Sequence, residues 1–300
     1  MGGCNSKDMA VCLVIFNPAK TRKIIENYFA MIKELKDYPI FTLELVYEGR
    51  IPEIPGAFHI TGNSVLFSKE NLCRILETKV PSKYTKLAFL DADIIFSDPS
   101  WYCKASKLLD TYDVVQLFDE CHWMDSTNTN ITLTRKSVLF MKEPQYMTTY
   151  HPGFAWAMKR QWYTKVGFFD YAISGSGDTL STSAWLNKPF GPKFKSLPPP
   201  LLSEYSKFKR NPLPKITYLP NISVKHLYHG SKENRKYVDR HKMLDVKEDI
   251  KELIVKNKEG LFEWVNPRIW NPIFLKYFVE RDDDNLNLNL ELYSDTVLTS

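Results

Sequence analysis

The stretch Phe89-Leu90-Asp91-Ala92-Asp93-Ile94-Ile95-Phe96 places two carboxylates, one residue apart, in an apolar run typical of a β-strand. Successive strand residues point to opposite faces, so Asp91 and Asp93 are predicted to share one face. Two like charges buried there without a partner would be costly. A divalent cation is the simplest partner, because hard cations prefer oxygen ligands. The run therefore predicts a metal site that can hold a pyrophosphate. The alternative is an ordinary polar turn closed by Asp98-Pro99.

The elements around this run alternate between strands and helices. An apolar stripe every three to four residues predicts a helix over Lys20 to Leu35, and helices are also predicted over Ser68 to Lys79 and Trp101 to Leu109. Apolar runs predict strands at Met9 to Phe16, Ile40 to Tyr47, Lys86 to Leu90 and Val114 to Phe118. This order predicts an α/β protein with a mostly parallel central sheet flanked by helices. Ligands of such sheets bind beyond the carboxyl ends of the strands, where Asn17, Asp91 and Asp93 fall.

The second half of the chain has a different character. We predict a strand over Phe154 to Met158, a short helix through Lys165, a loop at Gly175-Ser176-Gly177-Asp178 and a helix over Thr179 to Leu186. Residues 187–220 hold eight of the 18 prolines and are predicted to form a long binding loop or lid. Asp245 to Lys258 is predicted to be helical. Strict alternation at Leu286, Leu288, Leu290 and Leu292 predicts a strand at an edge or a subunit contact.

Charge and cysteine content indicate which binding partners and which compartment to expect. The chain has 300 residues, and its formal net charge of +5 does not require a nucleic-acid partner. Basic residues crowd residues 207–242, as a solvated face or a local anion site, and nucleic-acid-binding signatures are absent. Five scattered cysteines without a Cys-x-x-Cys pair favour a reducing compartment, and we predict a cytoplasmic protein. The apolar run at Met9 is too short to span a bilayer and lacks a signal-peptide cleavage pattern.

The first residues carry a separate hypothesis. Met1-Gly2-Gly3-Cys4-Asn5-Ser6 fits the Met-Gly-x-x-x-Ser pattern of N-myristoylation, with Cys4 as a second acylation site. One acyl chain anchors only marginally, whereas two would hold the protein at a membrane. The alternatives are therefore peripheral membrane association and a plain, flexible N-terminus.

In three blocks, the chain resembles the GT-A glycosyltransferases. The first block is the α/β half that ends in Phe89-Leu90-Asp91-Ala92-Asp93, similar to the Asp-x-Asp motif of that family. The second block resembles the acceptor side and comprises Gly153-Phe154-Ala155-Trp156-Ala157-Met158-Lys159-Arg160, Val166-Gly167-Phe168-Phe169-Asp170 and Gly175-Ser176-Gly177-Asp178. The third is His226-Leu227-Tyr228-His229-Gly230 with Arg235, similar to a late histidine that completes the metal site. Their order and spacing extend over residues 9–242 and suggest enzymes of large DNA viruses and bacteria.

The resemblance implies a domain organisation and a donor site. It implies a flexible residue range 1–8, a catalytic domain over 9–244 (nucleotide half 9–118, acceptor half 119–244) and a C-terminal extension over 245–300. Mn²⁺ or Mg²⁺ would be held by Asp93, by Asp91, which could instead bind the ribose, and by His229 as a neutral imidazole. Asn17, Pro18, Arg22, Ala92, Lys232 and Arg235 are the further candidates for binding the nucleotide sugar. For His229 and Arg22, a surface turn and a solvated helix face are the alternatives.

The acceptor hydroxyl must lose a proton during attack, and Asp178 is the candidate base. Helix N-capping is the alternative role for Asp178, since aspartate is a preferred cap. The family pattern often has an acidic pair or a glutamate where this chain has Gly177-Asp178, so a retaining mechanism stays open. Two other functions also stay open: a haloacid-dehalogenase-like phosphatase with Asp91 as nucleophile, and a catalytically inactive GT-A protein that only binds sugar nucleotides. We predict a hexosyltransferase that uses a UDP-sugar and a glycan or glycoprotein acceptor.

Overall fold

A computed structural model describes residues 7–141, 150–189, 197–237 and 239–286. The strands are β1 (Met9–Phe16), β2 (Ile40–Tyr47), β3 (Phe58–Gly62), β4 (Lys86–Leu90), β5 (Ile94–Phe96), β6 (Val114–Gln116), β7 (Glu120–Met124), β8 (Ile131–Ser137), β9 (Tyr150–His151), β10 (Ala155–Lys159), β11 (Ile216–Tyr218), β12 (Ser223–His226), β13 (Ile254–Lys256) and β14 (Phe262–Trp264). The α-helices are α1 (Arg22–Leu35), α2 (Lys69–Lys79), α3 (Trp101–Leu108), α4 (Val138–Met141), α5 (Arg160–Lys165), α6 (Gly177–Trp185), α7 (Leu202–Phe208), α8 (Ile250–Leu253) and α9 (Pro267–Glu280).

The central sheet has seven strands in the order β11-β6-β10-β4-β1-β2-β3. β1 pairs in parallel with β2 and β4, β2 with β3, and β6 with β11. Among the described strands of this sheet, β10 alone runs antiparallel to its two neighbours. The predicted α/β class with a mostly parallel, helix-flanked sheet is confirmed.

Alternation along β1 explains why this strand lies inside the sheet. Ala10 and Cys12 join the apolar core on one face, while Met9, Val11 and Leu13 join the core on the other. All five are at most 1% exposed, so an unbroken apolar run is what a strand covered on both faces requires. α2 packs over the first face, and α1 over the second.

A second sheet brings the late histidines to the acidic pair. Its order is β5-β12-β7-β8-β9, and β12 pairs antiparallel to β5 with His226 opposite Ile94. The Leu227 N–H donates to the Asp93 carbonyl at 2.8 Å, which extends this pairing by one step. His226 is thereby placed beside Asp93, although 133 positions separate them in the sequence.

Several predicted elements are wrong. β4 ends at Leu90, so Asp91 and Asp93 lie in the turn before β5 and do not share a strand face. Residues 187–220 contain α7 and β11 besides loop, and Gly177 and Asp178 belong to the first turn of α6. The helix predicted over Asp245 to Lys258 is confined to α8, followed by β13. Sequence periodicity missed this hairpin because its turn depends on Asn257, whose side-chain oxygen accepts from two backbone N–H groups.

Two sequence predictions concern residues outside the described ranges. They are the acylation motif at residues 1–6 and most of the leucine alternation from Leu288 onward. Within the described residues, no helix is both long and apolar enough to cross a membrane. Cys12, Cys73 and Cys121 are free and buried, whereas Cys103 is disulfide-bonded. The cytoplasmic location stays a prediction.

The described part of the C-terminal segment packs into the main core. Residues of α8, β14 and α9 are buried against the face of the sheet that α2 covers, among them Leu253, Trp264 and Phe274. Trp264 stacks on Trp270 with their ring centroids 5.0 Å apart. This segment therefore helps to hold the sheet, and α9 leads directly to Asp283 in the functional cleft.

We expect Phe274→Ala to destabilise the whole chain. Phe274 is fully buried, so the truncation leaves a cavity that costs about 3–5 kcal/mol. Its neighbour Ile273 is 41% exposed, and Ile273→Ala should change the free energy of unfolding by at most about 0.5 kcal/mol. Urea unfolding followed by tryptophan fluorescence measures both. Equal effects of the two substitutions would contradict the integral role of α9.

Candidate functional site

A cleft of about 240 Å³ opens at the carboxyl ends of β1 and β4. Its floor is the Asp91-Ala92-Asp93 turn, and its walls come from α2, α6, β12 and the segment after α9. Two of the predicted donor-site residues, Asn17 and Pro18, lie on the rim after β1. The cleft is thus at the edge of the sheet where ligands of parallel α/β proteins bind.

Asp93, His226 and His229 form a cluster that can hold a metal ion. Asp93 Oδ2 lies 2.8 Å from His229 Nε2 and 3.5 Å from His226 Nε2. The two Nε2 atoms are 3.1 Å apart, and one ligand atom from each residue falls within 4.8 Å of the others. Both histidines are buried, and only 19% of the Asp93 side chain is exposed.

The donor atoms of this cluster fit a divalent transition metal. Asp93 Oδ1 is buried and has no hydrogen-bond partner among the described residues. Burial lowers the pKa of His226 to about 4, although Asp93 acts against it, so this ring is a neutral donor near pH 7. Imidazole nitrogen with carboxylate oxygen suits Mn²⁺ or Zn²⁺. Asp93, His226 and His229 are therefore the residues that would hold the cation.

Behind this cluster lies a layer of charged residues, in which the predicted Arg235 is joined by Arg281 and Asp283, which the sequence did not reveal. Asp283 Oδ1 is 3.8 Å from His229 Nδ1, and Arg281 Nη2 is 2.7 Å from Asp283 Oδ2. Burial would raise the pKa of Asp283, but Arg281 and His229 lower it below the ordinary value. Arg235 Nη2 lies 2.6 Å from His229 Nδ1 and donates to the His229 carbonyl at 2.8 Å. A carboxylate behind a ligating imidazole fixes the orientation of the ring.

Asp91 has a different partner from the one predicted. Its carboxylate forms an ion pair with Lys69, the first residue of α2. Burial would lower the pKa of Lys69, but Asp91, Glu70 and Asp178 together raise it, so Lys69 keeps its charge at neutral pH. The structure therefore gives Asp91 a lysine partner and places it outside the cluster of three metal-binding candidates. No sequence pattern pointed to Lys69.

The remaining donor-site candidates divide between the cleft and the surface. Ala92 and Arg235 line the cleft with Asn17 and Pro18. The Asn17 amide is engaged by Thr21 and Glu53, so it holds the turn after β1. Arg22 is on the outer face of α1, with 81% of its side chain exposed and an ion pair to Glu26.

Lys232 lies outside the lining of the cleft. Its Nζ lies 4.6 Å from the ring centroid of Trp123, and burial lowers its pKa to about 8. Arg22 and Lys232 are absent from the residues that line the cleft, within the described part of the chain. A direct contact of either with a bound nucleotide has no support in this geometry.

Two carboxylates that do not belong to the metal-binding candidates lie on one wall of the cleft. Asp178 Oδ1 accepts from the Thr179 N–H at 2.7 Å in the first turn of α6, and Asp178 also lines the cleft. A Cβ atom on Gly153 would overlap Asp178 Oδ2 and would lie 3.0 Å from His151 Nε2. Glu70 lies on the same wall. Asp178 thus lies in the cleft, as a base would, and also contacts the backbone at the start of α6, as a helix cap would.

No known protein family and no curated protein matches the chain. Among solved structures, the chain is similar to glucosyl-3-phosphoglycerate synthase from Mycobacterium tuberculosis with Mn²⁺, UDP-glucose and phosphoglyceric acid, at 12% identity over 83% of each chain and a TM-score of 0.40. It is also similar to the catalytic domain of Drosophila β1,4-galactosyltransferase 7, at 12% identity over 61% of this chain and 63% of that chain, with a TM-score of 0.31.

A third similar structure is not named as a glycosyltransferase. It is 4-diphosphocytidyl-2C-methyl-D-erythritol synthase from Anaerococcus prevotii, at 10% identity over 71% of this chain and 88% of that chain, with a TM-score of 0.35. The match to the galactosyltransferase spans less than two thirds of that protein. Likeness at these scores supports no statement about function, which has to rest on the cleft itself.

We expect His226→Gln to weaken Mn²⁺ binding by at least about tenfold, because it removes one of three clustered donors and outer-shell changes alone reach that size. Trp123 lies 6.0 Å from His226, so quenching of tryptophan fluorescence by Mn²⁺ reports on the site. His122→Gln is the matched control, since His122 contacts Thr134 and Glu120 on β7 and β8. Unchanged quenching in His226→Gln would refute the cluster as a metal site.

Proposed function

We propose that this protein is a metal-dependent glycosyltransferase that takes a sugar from a nucleotide sugar, most readily a UDP-sugar, and transfers it to a hydroxyl of a glycan or glycoprotein. The observation that carries the proposal is the Asp93–His226–His229 cluster, which lines the same cleft as the carboxylates of Asp178 and Glu70. A metal-binding cluster and a proton acceptor in one cleft are what such a transfer needs.

Cationic side chains support a diphosphate beside the cluster. Lys69, Arg235, Arg240 and Arg281 all line the cleft. Negative charge grows on the diphosphate as the bond to the sugar breaks, and fixed cations stabilise this charge in a site that partly excludes water. Guanidinium groups also bind phosphate oxygens through two parallel hydrogen bonds. A divalent cation held by the cluster would add Lewis-acid stabilisation of the leaving diphosphate.

The acceptor would enter from the side of α6. Asp178 is the proton acceptor that the sequence favours, and its carboxylate lies on this wall. The wall also carries His151, a half-buried residue whose pKa is lowered well below the ordinary value by desolvation. A neutral imidazole and a carboxylate can together hold a sugar hydroxyl by hydrogen bonds.

The geometry favours transfer over phosphatase chemistry. A haloacid-dehalogenase-like phosphatase would use Asp91 as a nucleophile, whereas here Lys69 holds Asp91 in an ion pair. A catalytically inactive protein that binds the sugar nucleotide without turnover is distinguished by assay.

We expect Asp93→Ala to abolish Mn²⁺-dependent donor binding, because Asp93 is the carboxylate shared by both histidines. Calorimetric titration with UDP-, GDP- and dTDP-sugars, with and without Mn²⁺, measures the effect. The affinity for the best donor should fall at least about tenfold. The control is Asp98→Ala, which changes an aspartate five positions away that contacts Ser100 and Lys104.

Tight, Mn²⁺-dependent binding of one donor class by the unaltered protein would support the proposal. If the folded protein binds no donor in this panel, the glycosyltransferase proposal fails and sugar phosphates become the next panel. Full donor binding by Asp93→Ala would show that the metal cluster is unrelated to the donor.

A further inference from the structure

Gly177 and Glu70 are packed against each other in the wall of the cleft. A Cβ atom on Gly177 would overlap Glu70 Cδ and Oε1 and would lie 2.7 Å from Oε2. Any side chain at position 177 would therefore displace the Glu70 carboxylate. The absence of a side chain at the start of α6 allows a carboxylate from α2 to occupy that space.

Glu70 is a buried acid without a side-chain partner. The residue is 6% exposed, and its carboxylate accepts a hydrogen bond from its own backbone N–H but from no side chain of the described residues. Lys69, next to it in sequence, forms its ion pair with Asp91. A buried carboxylate without such contacts costs free energy, so it does not stabilise the fold.

The Glu70 side chain borders the space where the reaction would occur. It lines the cleft together with Asp178 and Gly177, and both carboxylates also line a small side cavity of about 10 Å³. That volume holds about one water-sized oxygen atom. An acceptor hydroxyl entering along α6 therefore meets two carboxylates from different elements.

We propose that Glu70 is the general base of the transfer reaction and that Asp178 holds the acceptor hydroxyl in place. This assignment rests on the proposed function. In the step, the acceptor oxygen forms a bond to the anomeric carbon, and the bond between that carbon and the diphosphate oxygen breaks. The bonding electron pair leaves with the nucleoside diphosphate, and the hydroxyl proton moves to a Glu70 carboxylate oxygen. The sugar configuration inverts in a single displacement of this kind.

The electrostatic surroundings of Glu70 suit this role. Burial raises its pKa from the ordinary 4.5 to about 7, with Lys69 acting against the shift and Asp178 and Asp91 adding to it. A base whose pKa is close to the working pH combines a deprotonated fraction with a strong affinity for the proton. These three charged residues face Glu70 from α2, from α6 and from the turn after β4.

The same shift has a consequence for stability that does not depend on activity. The folded chain keeps a proton on Glu70 that the unfolded chain releases between pH 4.5 and about 7. The free energy of unfolding therefore falls as pH rises through this range. Glu70→Gln removes this loss, so the variant should gain stability relative to the unaltered protein between pH 4.5 and pH 8.

The experiment measures UDP release from the donor that binds best, with Mn²⁺, using water and a panel of methyl glycosides as acceptors. Glu70→Gln should bind the donor normally and lose at least about 100-fold in turnover, the usual size of a general-base contribution. The unaltered protein should lose turnover as pH falls below about 7. Asp178→Asn should still lose turnover as pH falls, with the midpoint moved to lower pH because Asp178 helps to raise the pKa of Glu70, and it should raise the KM for the acceptor. Glu70→Gln should lack this pH dependence.

Two further variants make the test specific. Glu77→Gln is the matched control on the same helix, because Glu77 is buried but accepts from Arg160 Nε at 2.6 Å away from the cleft. Glu77→Gln should lower the melting temperature and keep turnover, whereas Glu70→Gln should gain stability and lose turnover. Gly177→Ala should reduce turnover with Glu70 intact, by pushing its carboxylate aside.

Several outcomes would overturn the assignment. Turnover of Glu70→Gln within about threefold of the unaltered protein would do so, as would loss of the pH dependence in Asp178→Asn alone. Retention of configuration in the released sugar, followed by proton NMR before mutarotation, would exclude a single displacement. Donor binding without any UDP release would overturn the role of Glu70 and leave the donor site standing, whereas absence of donor binding would overturn the proposed function itself.

Discussion

The burial of Asp93 between two histidines is the constraint on which the functional cleft depends. A carboxylate placed in the turn after β4 would be costly without compensation, and pairing of β12 with β5 brings His226 and His229 to it. The hydrogen bond from the Leu227 N–H to the Asp93 carbonyl continues this pairing and fixes the position of the turn. Arg235, Arg281 and Asp283 then surround the histidines, so the second sheet and the end of α9 are tied to the same centre.

The cleft holds both cationic and anionic side chains. Lys69, Arg235 and Arg281 provide the cations, whereas Glu70 from α2 and Asp178 from α6 provide carboxylates. Lys69 connects the Asp91-Ala92-Asp93 turn to these carboxylates, since it pairs with Asp91 and also acts on the pKa of Glu70. A ligand bound at the turn would therefore alter the electrostatic field at Glu70.

Two glycines allow the backbone to come close to the carboxylates in the cleft. At Gly153 and Gly177, a Cβ atom would overlap Asp178 and Glu70 respectively, so the close approach of backbone and carboxylate requires the smallest residue. Ser176, which precedes Gly177, is held in the left-handed region at a φ of 66°, and His241 and Arg240 contact its hydroxyl. Buried polar contacts thus stabilise a turn whose conformation is unfavourable by itself.

The sequence by itself determined the α/β class and most of the helices and strands in the first half, and it pointed to Asp93, His229 and Asp178 as site candidates, because hydrophobic period and local motifs are properties of neighbouring residues. It placed a helix where α8 and β13 occur, since a short apolar run suits either structure until a partner strand is known. Only the tertiary structure decided that Lys69 pairs with Asp91, that His226 joins Asp93 and that Glu70 fills the space above Gly177. Those contacts join residues more than 20 to more than 100 positions apart, and their energies depend on how the sheet and α2 pack together, which no local pattern encodes.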